Sequence, residues 1–78
     1  MAKDPKKPYG DVVYADPGYQ PDGKHRYPLD SEEHVRAAWS YINQPDNQKP
    51  YTAEQVTSIK ARIKAAGIKY GIQFEEGD

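Results

Sequence analysis

The prolines divide this chain in two. Five of the seven, at positions 5, 8, 17, 21 and 28, fall before residue 30, together with four of the seven tyrosines. Proline lacks an amide donor and disfavours helix in the residue before it, so the first thirty residues cannot hold a long helix. The remaining residues carry two helical patterns separated by one polar turn. Any fold must therefore set a proline-rich, tyrosine-rich leader against a helical second half.

The first helix is expected over residues 31–43, in "LDSEEHVRAAWSYIN". Asp30 is the expected N-cap, because its carboxylate can accept the unpaired amides of the first turn, with Glu33 completing a capping box. Glu32 and Glu33 also suit the positive end of the helix dipole. Val35, Ala38, Trp39 and Ile42 share one face, and Pro45 stops the helix. "QPDNQKP" then reads as a polar turn. The second helix is expected over 53–70. Thr52 is its N-cap, Gln55 the capping-box partner, and Tyr51 and Val56 a hydrophobic staple. Val56, Ile59, Ile63 and Ala66 continue one stripe. Gly67 inside this helix costs about 1 kcal/mol relative to alanine. Ending the helix near Gly71 rather than there keeps Ile68 and Tyr70 on it.

A seven-residue connection favours an antiparallel pair. The expected fold is mainly α, an antiparallel two-helix hairpin capped by an ordered N-terminal Tyr/Pro-rich loop. "DPG" (16–18) and "PDG" (21–23) are turn signals that would reverse the leader twice, because proline presets φ and glycine accepts positive φ. Short β pairing of 11–14 with 71–74 is a further expectation. The expected core is Val35, Ala38, Trp39, Ile42, Val56, Ile59 and Ile63, with Tyr27 and Leu29 from the loop. Residues 1–8 and the acidic tail 75–78 are expected to be flexible, leaving one domain over 9–74.

Seventy-eight residues bury only roughly 60–65% of their unfolded surface, and such chains often need a staple or a partner. There is no cysteine, which removes disulfides and thiolate metal sites. The net charge of −1 argues against bulk attraction to nucleic acid. No apolar run approaches the roughly 18 residues of a membrane span. "MAKDPKKPYG" lacks the apolar region of a signal peptide. The expectation is a cytoplasmic or virion-associated protein without a membrane span, monomeric or weakly dimeric.

"YADPGYQPDGKHRYPLDSEEHVRAAWSYINQ" and "YTAEQVTSIKARIKAAGIKYGI" resemble a small uncharacterised domain family of actinobacterial and phage proteins. Its members are often appended to phage prohead proteases and other structural-module proteins. The resemblance covers roughly residues 14–72, and is most specific at residues 14–19, 27–30 and 37–43. It implies a phage or prophage setting and no activity.

The residues themselves point to no chemistry. His25 and His34 lack a second histidine at metal-ligand spacing. Asp30, Glu32 and Glu33 cluster where a helix start wants them. Asp16, Asp22 and Asp30 do not match a calcium loop. Ser31, Ser40 and Ser58 lack a nucleophile setting, and no glycine-rich phosphate loop is present. No enzyme, cofactor or metal is expected. Two surfaces remain. Tyr14, Tyr19 and Tyr27 either complete the core or form a protein-binding surface for a phage or host partner. Lys60, Arg62, Lys64 and Lys69, with Arg26, are either a solvated face, a nucleic-acid contact or a site for an acidic protein. Residues 55–74 contain no acid. A non-catalytic protein-interaction module is the first expectation, and a small nucleic-acid-binding accessory protein the second.

Overall fold

The structure, a computed structural model, describes residues 5–74. The outermost residues of the ends expected to be flexible, 1–4 and 75–78, lie outside it. The chain runs β1 (Tyr14–Asp16), β2 (Arg26–Pro28), α1 (Glu32–Ile42), α2 (Pro45–Gln48) and α3 (Ala53–Lys69). The fold is thus mixed: the leader carries a two-stranded sheet rather than a capping loop alone. α1 and α3 pack against each other, β1 lies on α3, and β2 lies on α1.

The strand pairing differs from the expected one. β1 pairs antiparallel with β2, Tyr14 opposite Pro28 and Asp16 opposite Arg26. The two turn signals bring these segments together across a short loop, at a lower closure entropy than pairing with the chain's far end. Residues 71–74 are not a strand. Ile72 is buried in the core, and Phe74 packs on Trp39 with ring centroids 4.7 Å apart.

All three β1 residues are buried, including the charged Asp16, which is 0% exposed. A buried carboxylate needs donors on its oxygens. Oδ1 accepts the amides of Gly18 (2.8 Å) and Tyr19 (2.7 Å). Oδ2 accepts the Tyr51 hydroxyl at 2.6 Å. Tyr51 Oη in turn accepts Gln20 Nε2 at 3.0 Å. One side chain thereby closes the turn after β1 and ties it to the residue that leads into α3.

The helices follow local rules with small shifts. α1 is capped by Ser31, not Asp30: Ser31 Oγ accepts the His34 amide at 3.1 Å. Asp30 lies one residue outside and meets His34 Nδ1 instead, and this bond holds its carboxyl below the usual range. The polar turn contains the short helix α2, which explains its amides. Asn47 Nδ2 and Gln48 Nε2 donate to the Tyr41 and Ile42 carbonyls (3.0 and 2.9 Å), two of the carbonyls α1 leaves open at its end. The Thr52–Gln55 capping box forms in both directions.

α3 crosses Gly67 and stops at Lys69. Gly71, at φ +70°, turns the chain. Its amide bonds to the Ile68 carbonyl, and the Ile72 amide to the Gly67 carbonyl at 2.9 Å, the two bonds of a Schellman end. Gly67 is required by close approach, since a Cβ there would meet the Phe74 ring at 2.3 Å.

The core is Ala15, Leu29, Val35, Ala38, Ile42, Tyr51, Ile59, Ile63 and Ile72, with Tyr27, Trp39 and Val56 only partly buried beside it. Trp39, expected in the core, sits at its edge. Phe74 lies against its ring, and Lys60 and Lys64 place their ammonium groups 5.9 and 5.4 Å from its centroid.

Asp16→Ala should lose about 3 kcal/mol in urea unfolding, because its donors lose their buried acceptor, and Tyr51→Phe about 1–2 kcal/mol, because the hydroxyl's bonds to Asp16 and Gln20 are both lost. A loss under about 1 kcal/mol for Asp16→Ala would mean the carboxylate is not organising the turn. In Gly67→Ala the new methyl should expel Phe74 and red-shift Trp39 fluorescence, while better helix propensity keeps stability within about 1 kcal/mol of the parent. An unshifted spectrum would show that Phe74 does not cover Trp39.

Candidate functional site

The leader is held to the sheet by backbone groups. The Tyr9 amide donates to Tyr14 Oη at 2.8 Å, and that hydroxyl donates to the Gly10 carbonyl at 3.0 Å. The His25 amide donates to the Lys6 carbonyl at 2.7 Å. These bonds place Pro8 and Tyr9 opposite α1, with β2 between. The result is an open groove of about 330 Å³, lined by Pro8, Tyr9, Tyr27, His34, Ala37 and Tyr41 among others. His34, Ala37 and Tyr41 are spaced i, i+3, i+7, a second stripe of α1 beside its core face.

The floor is tyrosine-rich. Tyr9 and Tyr41 are 53% and 54% exposed. Tyr9 stands edge-on to the His34 ring at 5.2 Å, and Tyr27 leans on Tyr41 at 5.9 Å. Beyond Tyr27 lies a second, more polar groove of about 370 Å³ that reaches Gln20, Asn47 and Tyr51. Tyr27, Tyr41 and Arg26 border both.

Tyr27 is unusual in its backbone. Among the described residues it is the one non-glycine residue with positive φ, at 61°. For a bulky L-residue this left-handed conformation costs about 1–2 kcal/mol. Burial, then the neighbouring Tyr41 and Asp16, pushes its phenol up to about 12. Burial and the Asp16 carboxylate raise the Tyr51 phenol as well. Arg26 is committed to Asp22 by two bonds of 3.0 and 2.7 Å, and this pairing holds the Asp22 carboxyl well below the usual range.

The residues proposed from sequence are dispersed. Tyr14 is buried, and its ring belongs to the packed interior. Tyr19 is half-buried; its hydroxyl accepts Arg62 Nη1 at 2.6 Å, with the guanidinium carbon 5.4 Å from its ring centroid. Arg62 Nη1 also donates to the Ala15 carbonyl at 2.9 Å. Lys60 and Lys64 lean on Trp39, Lys69 is exposed, and Arg26 borders the aromatic grooves rather than the α3 face. Tyr9 and Tyr41 escaped sequence reasoning. The available signal was Tyr41's position: an aromatic off the apolar stripe of its own helix has no core to join.

Among the described residues, no cluster of three or more His, Asp or Glu side chains comes together in a metal-binding arrangement, and no helix is long and apolar enough to cross a membrane. Residues 2–77 match a family of unknown function (DUF6582), and the chain belongs to that family. No curated protein and no solved structure matches it.

The two shifted phenols make stability fall at alkaline pH. Their folded values lie above the ordinary value of 10.0, so their contribution is complete below about pH 10 and is lost at more alkaline pH, for Tyr27 as pH rises through about 12. Phenolate absorbance in the parent chain should therefore show late-ionising tyrosine that disappears in Tyr27→Phe and in Tyr51→Phe. Tyr27 and Tyr51 ionising near pH 10 would contradict the burial described.

Proposed function

We propose that this domain is a non-catalytic protein-interaction module and that the groove of Tyr9, Tyr27 and Tyr41 is its contact surface. Tyr27 is the observation that carries the reading. A strained backbone persists only where the surroundings over-determine it, and such strain clusters at binding and switch sites. Here the strain lays the Tyr27 ring against a solvent-exposed Tyr41, with a second exposed tyrosine across the groove. Tyrosine offers broad, rigid contact area at small entropic cost while its hydroxyl keeps a polar partner. The histidines of the groove already have neighbours: His34 meets Asp30 and Tyr9, and His25 packs on Tyr14. A phage or prophage setting, in the host cytoplasm or on a virion, rests on the resemblance of residues 14–72 alone.

Nucleic-acid binding through Lys60, Arg62, Lys64 and Lys69 draws support from the acid-free run 55–74. It is weakened where Arg62 is committed to Ala15 and Tyr19 and where Lys60 and Lys64 lie over Trp39.

Affinity capture separates the readings. The parent chain should retain a protein that Tyr41→Ser loses, that Lys60→Glu/Lys64→Glu retains, and that nuclease treatment leaves in place. Tyr41 is exposed enough for its removal to spare the fold. Loss only in the lysine variant, with nuclease sensitivity, would replace this reading with nucleic-acid binding.

A further inference from the structure

We propose that the outer side of α3, with Val13 beside it, docks an acidic amphipathic segment of a partner protein, on a surface separate from the tyrosine groove. The core side of α3 uses Ile59, Ile63 and Gly67. On the opposite side Ala61, Ala65 and Ile68 follow at i, i+4, i+7, and all three are exposed. Ile68 is 79% exposed and Val13 66%. Next to them opens a groove of about 320 Å³ with Val13, Leu29, Ala65 and Ala66 along it and Arg62 and Lys69 at its rim. Val13 lines this groove, and exposed Ile68 lies on the same outer side of α3 as Ala65; apolar side chains grouped in this way mark an interaction surface.

Charge selects the partner. Arg62 and Lys69 are the charged side chains that line the groove, and the helix beside it carries no carboxylate from residue 55 onward, so a segment lying there meets an apolar floor with a positive border. Acidic side chains complement that border and speed association. The floor decides against a phosphate backbone, which gains nothing from Val13, Ala65 or Ala66. Arg62 cannot turn outward to a phosphate without leaving the Ala15 carbonyl and Tyr19 hydroxyl it now bonds. A peptide uses both parts: apolar residues enter the groove while Asp or Glu faces Lys69. Alanine at 61 and 65 allows close approach, and the 17 residues of α3 offer about 25 Å of length, some four to five turns of a partner helix.

The test is selection of a ribosome-displayed random peptide library on the intact chain, with Ile68→Glu as the counter-target. Ile68 lies outside the core, so circular dichroism of the variant should match the parent. Enriched peptides should combine Asp or Glu with regularly spaced Leu or Phe. They should shift the amides of Val13, Ala61, Ala65 and Ile68, weaken with salt, and bind Ile68→Glu and Lys69→Glu about tenfold or more weakly. Peptides without acidic excess, peptides that bind Ile68→Glu equally, or shifts confined to the Tyr41 groove would overturn the proposal. So would movement of these amides by short DNA but by no selected peptide.

Discussion

A carboxylate with no solvent exposure sits at the centre of this small domain, and most of the architecture follows from satisfying it. Leaving an ionised group buried without donors is expensive enough that the chain would neutralise it or unfold. Asp16 is supplied with donors: two amides from its own turn and one hydroxyl from Tyr51. The first two bonds fix the direction in which the leader returns. The third reaches across 35 residues and fastens that return to the start of α3. A chain without cysteine, and with no metal cluster among its described residues, thus gains a staple made of hydrogen bonds.

Once β1 is pinned, β2 has one place to lie, and it must reach α1 from there. Tyr27 adopts its positive φ at this point and becomes the wall between two grooves. The opposite flank is governed by α3, whose basic residues divide their work. Arg62 binds the strand, Lys60 and Lys64 shelter Trp39, and Lys69 is left on the rim of an apolar groove. The domain therefore presents two unlike faces, one of tyrosines and one of aliphatic side chains bordered by cations.

The helices were legible because their signals are local. Thr52 and Gln55 form the expected capping box, and the apolar stripes place both long helices within a residue of their observed ends. Asp30 was mistaken for the α1 cap because Asp and Ser are near-equal caps and adjacent here; the His34 amide chose Ser31. The sheet was legible only as two turn signals. What fastens it to the helices is the Asp16–Tyr51 bond, and nothing near residue 16 shows that the partner is Tyr51. The end of the chain was misread for the same reason: Phe74 finds Trp39 and Gly67 through tertiary packing, and "GIQF" has the short apolar look of a strand. Of the groove's rings Tyr27 was legible, whereas Tyr9 and Tyr41 become partners only after the leader folds back. Among the basic residues the positive charge was plain in the sequence. That Arg62 is bound inward was not, since its acceptors lie more than 40 residues away.

The most direct measurement is amide hydrogen exchange at Gly18 and Tyr19, the two donors to Asp16 Oδ1. If Asp16 pins the leader to the helices, these amides open only with the whole domain. Their protection should approach that of Ile63 in the middle of α3, despite their place in a proline-rich turn. Exchange as fast as that of an exposed loop, with Ile63 still protected, would contradict it. The leader would then be a loose cover and not part of the fold.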